Sequence, residues 1–145
     1  MRNFLSAWQF WALLSATFAA LTAICAKIGV SEVDSDLATF IRTIVIFFVT
    51  GAILLARHQP LSLTAVPART YTFLVLSGVA TGASWLCYFR ALKLGPASQV
   101  APIDKLSVVL VAVFGAMILG EELSGVNWLG VLLIALGALL VAYKP

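Results

Sequence analysis

Residues 123–143 read LSGVNWLGVLLIALGALLVAY and carry no charge between Glu122 and Lys144. A helix of about 20 residues crosses a hydrocarbon core about 30 Å thick, so this run spans a bilayer unaided. Two further charge-free runs have the same property: 3–26 between Arg2 and Lys27, and 70–89 between Arg69 and Arg90. Two others, 43–56 after Arg42 and 106–120 between Lys105 and Glu121, fall short of a full crossing. They reach full length only if one helix carries Arg42 within it and the other carries Asp104 and Lys105. The charge pattern therefore predicts five helices, at 8–27, 37–56, 71–92, 97–119 and 124–143. Lipid offers no partner for a free backbone N–H or C=O, which leaves helices as the form these runs take. The fold class expected is an all-α membrane protein, a bundle of five transmembrane helices.

The composition of the 145 residues agrees, with 62% hydrophobic and 10% charged and a mean hydropathy of +1.07. Soluble domains carry about 25% charged residues. An ordinary globular domain, a disordered chain and a disulfide scaffold are excluded. The net charge of +3 comes from nine Lys and Arg scattered among apolar runs, so no basic patch exists to bind nucleic acid. The first helix is too long for a signal-peptide core and lacks an A-x-A site, so it is expected to be retained. Cys25 and Cys87 fall inside predicted helices and read as reduced packing residues. The loops, 29–36, 57–70, 94–96 and 121–123, leave no room for an extramembrane domain. No nucleotide, zinc or nucleophile motif is present, so neither an enzyme nor a cofactor or metal site is expected. His58, beside Arg57 and Pro60, reads as a solvated loop histidine.

Five spans put the termini on opposite faces. The N-terminal face would receive Arg2, Arg57 and Arg69; the other would receive Lys27, Lys93 and Lys144, with Arg90 nearby. Orientation follows Lys and Arg counts, and here the counts balance. A fixed orientation with the N-terminus in the cytoplasm and dual insertion in both orientations remain open.

Arg42 lies about 7 Å from the middle of its predicted helix and Asp104 about 6–9 Å from the middle of its own. A charge near the bilayer centre costs about 2.5–3.5 kcal/mol even on the lenient insertion scale, so such groups face a bundle interior and find partners. Arg42 with Asp104 is the pair the sequence suggests, with Lys105 and Arg90 as competitors. A static ion pair and a switchable one are both open. On the third helix Ser77, Gly78, Thr81, Ser84, Trp85 and Tyr88 fall within about 120° of one another. The first helix has a comparable face in Trp8, Trp11, Ser15, Ala19 and Thr22. Such faces line a small-molecule cavity or serve close helix packing, with Trp8 read as an interfacial residue. Ser107 joins the cavity candidates. Gly78 with Gly82, and Gly130 with Gly137, suit helix contact within or between chains. Pro102 removes a donor near the start of the fourth helix and predicts a broken or bent backbone beside Asp104.

The stretch Tyr88-Phe89-Arg90-Ala91-Leu92-Lys93-Leu94-Gly95-Pro96-Ala97-Ser98, followed by Val100-Ala101-Pro102, resembles the central signature of the EamA-type domain of the drug/metabolite transporter superfamily. Gly120-Glu121-Glu122, then Leu129-Gly130 and Gly137, resemble that domain's ending, and Ala26-Lys27 fits its first helix. The resemblance covers essentially the whole chain. It implies transport of small organic solutes, commonly export of metabolites or amino acids. Most of the family joins two five-helix domains in one ten-helix chain, the second inverted relative to the first. This chain holds one copy, which implies a second chain in the opposite orientation, as a homodimer or with an inverted partner. The chain is also similar to the small multidrug resistance proteins, which use a helix 1 Glu for coupling. Here helix 1 has no acid, and Asp104 is the intramembrane carboxylate that remains. For Glu121, helix N-capping or interfacial solvation is the expected role.

The reading is thus a transporter subunit in a bacterial inner membrane. The cavity candidates are Trp11, Ser15, Arg42, Thr81, Ser84, Trp85, Tyr88, Asp104 and Ser107. Trp85 and Tyr88 would form aromatic walls, and Thr81 and Ser84 would donate hydrogen bonds. The competing reading is a membrane scaffold or accessory subunit, in which the same polar groups hold helices together.

Overall fold

The computed structural model of the protein describes residues 7–57 and 66–143. Arg2, His58 and Lys144 lie outside the described residues. The described residues form helices and no strand: α1 (Trp8–Gly29), α2 (Ser35–Ala56), α3 (Ala68–Leu94), α4 (Ala97–Asp104), α5 (Ser107–Phe114), a π-turn at Gly115–Leu119 and α6 (Gly125–Ala142). Taken with the π-turn, α4 and α5 make a fourth span of 23 residues, so the described residues hold five spans long and apolar enough to cross a membrane.

Helix ends differ from the expected ones by a turn or less, for local reasons. α2 starts at Ser35, ahead of the expected Leu37, because the Asp34 carboxylate accepts from the Asp36 and Leu37 N–H groups at 2.9 and 3.4 Å. That satisfies two of the donors a helix start leaves free. Ser124 does the same for α6, accepting from Asn127 N at 3.2 Å. α3 runs from Ala68, just after Pro67, to Leu94, where Gly95-Pro96 stops it.

The fourth span departs from a continuous helix. Pro102 has no N–H to offer the turn before it, and α4 ends at Asp104. Through the break the bonding tightens to i→i+3, with Leu106 N donating to Ile103 O and Val108 N to Lys105 O, both at 3.0 Å. At the far end Gly120 adopts left-handed backbone, φ 70° and ψ 25°, which costs glycine nothing.

The chain divides into two compact units. The first holds residues 7–28 and 94–143. In it α6 lies along both α4 and α5, and Lys27 Nζ donates to the Gly95 carbonyl at 2.8 Å. Its buried side chains are the small ones of Ala23, Ala26 and Ala138. The second holds residues 29–57 and 66–93. There Val30 and Leu92 are fully enclosed and Phe89, Ser35 and Thr39 are buried. Lys93 Nζ donates to the Val33 carbonyl at 2.7 Å, tying the end of α3 to the loop before α2.

Over an 18-residue apolar stretch of each span only 6% of the residues are buried, or 11% in α1. Water would not tolerate so much bare Leu, Ile and Phe; hydrocarbon does, since it is as apolar as those side chains. The hydroxyls follow the same logic. Thr17, Thr39, Thr43, Thr50, Thr72 and Thr81 each donate to the carbonyl one turn back. Each is thereby satisfied within its own helix.

Candidate functional site

Arg42 lies on α2, about 5 Å from the helix midpoint at 1.5 Å per residue. Its guanidinium carbon stands 4.3 Å from the centroid of the Trp85 ring and 5.4 Å from that of Phe89. Trp85 and Phe89 stand at i and i+4 on α3, hence on one face, and present two adjoining aromatic surfaces to the cation. Tyr88 meets Phe89 edge-on at 6.5 Å. A cation over an aromatic face gains about 2 kcal/mol where water is scarce, which offsets much of the cost of placing Arg42 at that depth. Within the second unit, among the described residues, Arg42 makes no ion pair and donates no hydrogen bond.

Of the candidates on the second unit, Arg42 and Trp85 are brought together, with Tyr88 half-buried beside them. Thr81 and Ser84 are exposed on α3. Thr81 Oγ1 donates to Ser77 O at 2.8 Å, so its proton is committed and its oxygen is left as an acceptor, not the donor expected. Arg90 is exposed. Phe89 escapes a reading of the sequence because a phenylalanine in a span looks lipid-facing. Its i+4 spacing from Trp85 is the available signal.

The remaining candidates belong to the first unit. The Asp104 carboxylate pairs with the neighbouring Lys105 ammonium at 3.2 Å, at the end of α4. Ser107 opens α5 and is exposed. On α1, Ser15 is exposed and Trp11 packs edge-on against Phe10 at 5.5 Å. A Cβ placed on Gly130 or Gly137, or on Gly78 or Gly82 of the second unit, would have nothing within 4 Å.

A different glycine is under constraint. A Cβ on Gly115 would come within 2.7 Å of Glu121 Oε2. The Gly115 carbonyl accepts from the N–H groups of Gly120 and Glu121, so the chain doubles back and lays the carboxylate over Gly115. Ser124, not Glu121, caps α6. Beside this turn lies an open recess of about 340 Å³ lined by Val111, Phe114, Gly115, Ile118, Leu119 and Glu121. Apart from Glu121 its walls are apolar.

Five apolar spans, among the described residues, define a multi-pass helical membrane protein. The chain belongs to the EamA-like transporter family, whose pattern matches residues 6–143. It is a membrane transporter of the drug/metabolite type. It is 63% identical over 135 residues to the uncharacterized transporter in cobO 3'region of Sinorhizobium sp, covering 93% of this chain and 96% of the relative. It is 28% identical over 106 residues to the uncharacterized transporter YwfM of Bacillus subtilis (strain 168), covering 71% of this chain and 36% of that protein. No solved structure matches it significantly. Family and relatives alike point to transport rather than catalysis.

Proposed function

We propose that the protein moves small organic solutes across the bacterial inner membrane as two five-helix copies of opposite orientation. The observation that carries the transport site is Arg42, a cation deep in α2 that stands over the Trp85 ring while no described residue of its own unit takes its hydrogen bonds. A group of that kind persists in a span when a cavity and a passing solute satisfy it. Tyr88, Thr81 and Ser84 extend the same helix face. Trp11, Ser15 and Ser107 are proposed as further solute-facing residues, and Asp104 as the carboxylate that carries a coupling proton.

Two observations support pairing. The Sinorhizobium relative is covered over 96% of its length by a chain whose described residues hold five spans. Gly78, Gly82, Gly130 and Gly137 lie open, which suits close approach of helices from a second chain. Alternating access would then come from one copy rocking against the other.

The test combines topology with flux. Reporters active on opposite sides of the membrane, fused after the last residue, should both be active. Export by cells should fall at least tenfold in Arg42→Gln with protein abundance unchanged. Activity of one reporter alone overturns the inverted homodimer, and a loss of abundance without loss of flux per molecule favours a scaffold role.

A further inference from the structure

We infer that the solute held at Arg42 is an organic anion, its carboxylate paired edge-on with the guanidinium and its apolar body beside Trp85. This deepens the transport reading and rests on it. The guanidinium has two kinds of surface. Its central carbon stands over the indole, 4.3 Å from the ring centroid, with the Phe89 centroid at 5.4 Å. Its rim carries five N–H donors in a fork that matches a carboxylate with two parallel bonds. The ring contact is made through the central carbon and the rim N–H groups donate to no residue of this unit, so the aromatic contact and an anion do not compete.

No acid of the same unit fills that rim. The Asp34 carboxylate is engaged at the α2 start by the Asp36 and Leu37 N–H groups. Asp36 accepts from Ser35 Oγ at 3.3 Å. Those two positions precede Arg42 by about 12 and 9 Å along the helix axis, and Glu32 lies in the loop before them. A cationic solute is disfavoured twice: by repulsion from Arg42, and because the aromatic faces that would attract it already hold a cation. A neutral carbonyl offers the fork a single uncharged acceptor, and hydrogen bonds to an ionised acceptor are roughly twice as strong.

Labelled benzoate, benzamide and benzylamine share one ring and differ in charge, which makes them suitable probes. Binding to the purified full chain in lipid nanodiscs is read by scintillation proximity. Benzoate should bind saturably, at least tenfold tighter than benzamide or benzylamine, and Arg42→Gln should abolish that preference. Arg42→Lys keeps the charge and loses the fork; it should weaken benzoate at least fivefold and serves if the Gln variant does not fold. Benzylamine or benzamide binding as tightly as benzoate, or benzoate binding unchanged in the Lys variant, overturns the anion assignment. Flux into proteoliposomes separates the two readings. Benzoate binding without flux of any probe sinks transport and leaves the anion site standing. Flux of benzylamine insensitive to Arg42 leaves transport standing and sinks the anion site.

Discussion

The Arg42 guanidinium rests 4.3 Å from the Trp85 ring centroid, so one cation joins α2 to α3 through an aromatic face. If that contact is worth about 1–2 kcal/mol, Trp85→Leu should weaken solute binding about 5–30-fold and lower the unfolding midpoint in detergent. Trp85→Phe keeps a smaller π-face and should lose about a third as much. Equal losses for Leu and Phe would mean that the indole acts by bulk alone.

The break after α4 predicts a second result. Pro102 sits inside α4, where proline costs about 3 kcal/mol relative to alanine. Pro102→Ala restores a donor and should let the helix run through Lys105 and Leu106. Amide protection at 105–107 should rise and thermal stability should increase by about 1–3 kcal/mol. If the break serves the transport cycle, flux should fall at the same time. A stabilised variant with undiminished flux would make the break a structural detail.

Charge-free runs such as 123–143 locate the spans, because in lipid the absence of charge over about 20 residues is itself the folding signal. The bend of the fourth span is legible from Pro102 alone, since a missing N–H is a local fact. The site is legible only in parts. Depth singles out Arg42, and helical spacing singles out Trp85, but nothing along the chain says that one will lie on the other: the residues are far apart in sequence, and cation–aromatic contacts have no spacing rule. Phe89 is lost among the apolar residues of α3. Gly115 gives no signal because its constraint comes from Glu121, through a reversal that a helical pattern does not show.

Acid should loosen the start of α2. The Asp34 carboxyl is held below its ordinary 3.8 by the Asp36 and Leu37 N–H groups, with Lys93 adding a favourable charge. A depressed value means that ionised Asp34 stabilises the folded chain above its ordinary titration range. The contribution fades as pH falls below about 4 and through the folded-state value. Asp34→Asn keeps an acceptor oxygen but cannot titrate. The stability difference between the original protein and this variant should therefore be constant from pH 7 to 5 and shrink below pH 4. A difference that persists unchanged at pH 2 would show that the charge is not what the cap depends on.

At the end of the fourth span two glycines should respond differently to alanine. Gly120 has φ 70°, where a Cβ costs about 1–2 kcal/mol, so Gly120→Ala should lower stability by that amount and Gly120→Asn by less. Gly115 is crowded instead by the Glu121 carboxylate, 2.7 Å from where the methyl would sit. That carboxylate is the far end of a flexible, exposed side chain, so Gly115→Ala should only displace it, at a cost below about 1 kcal/mol. Glu121→Ala removes the obstacle, and the Gly115→Ala penalty measured in that background should vanish. A penalty that survives would place the strain in the π-turn backbone rather than in the folded-back carboxylate.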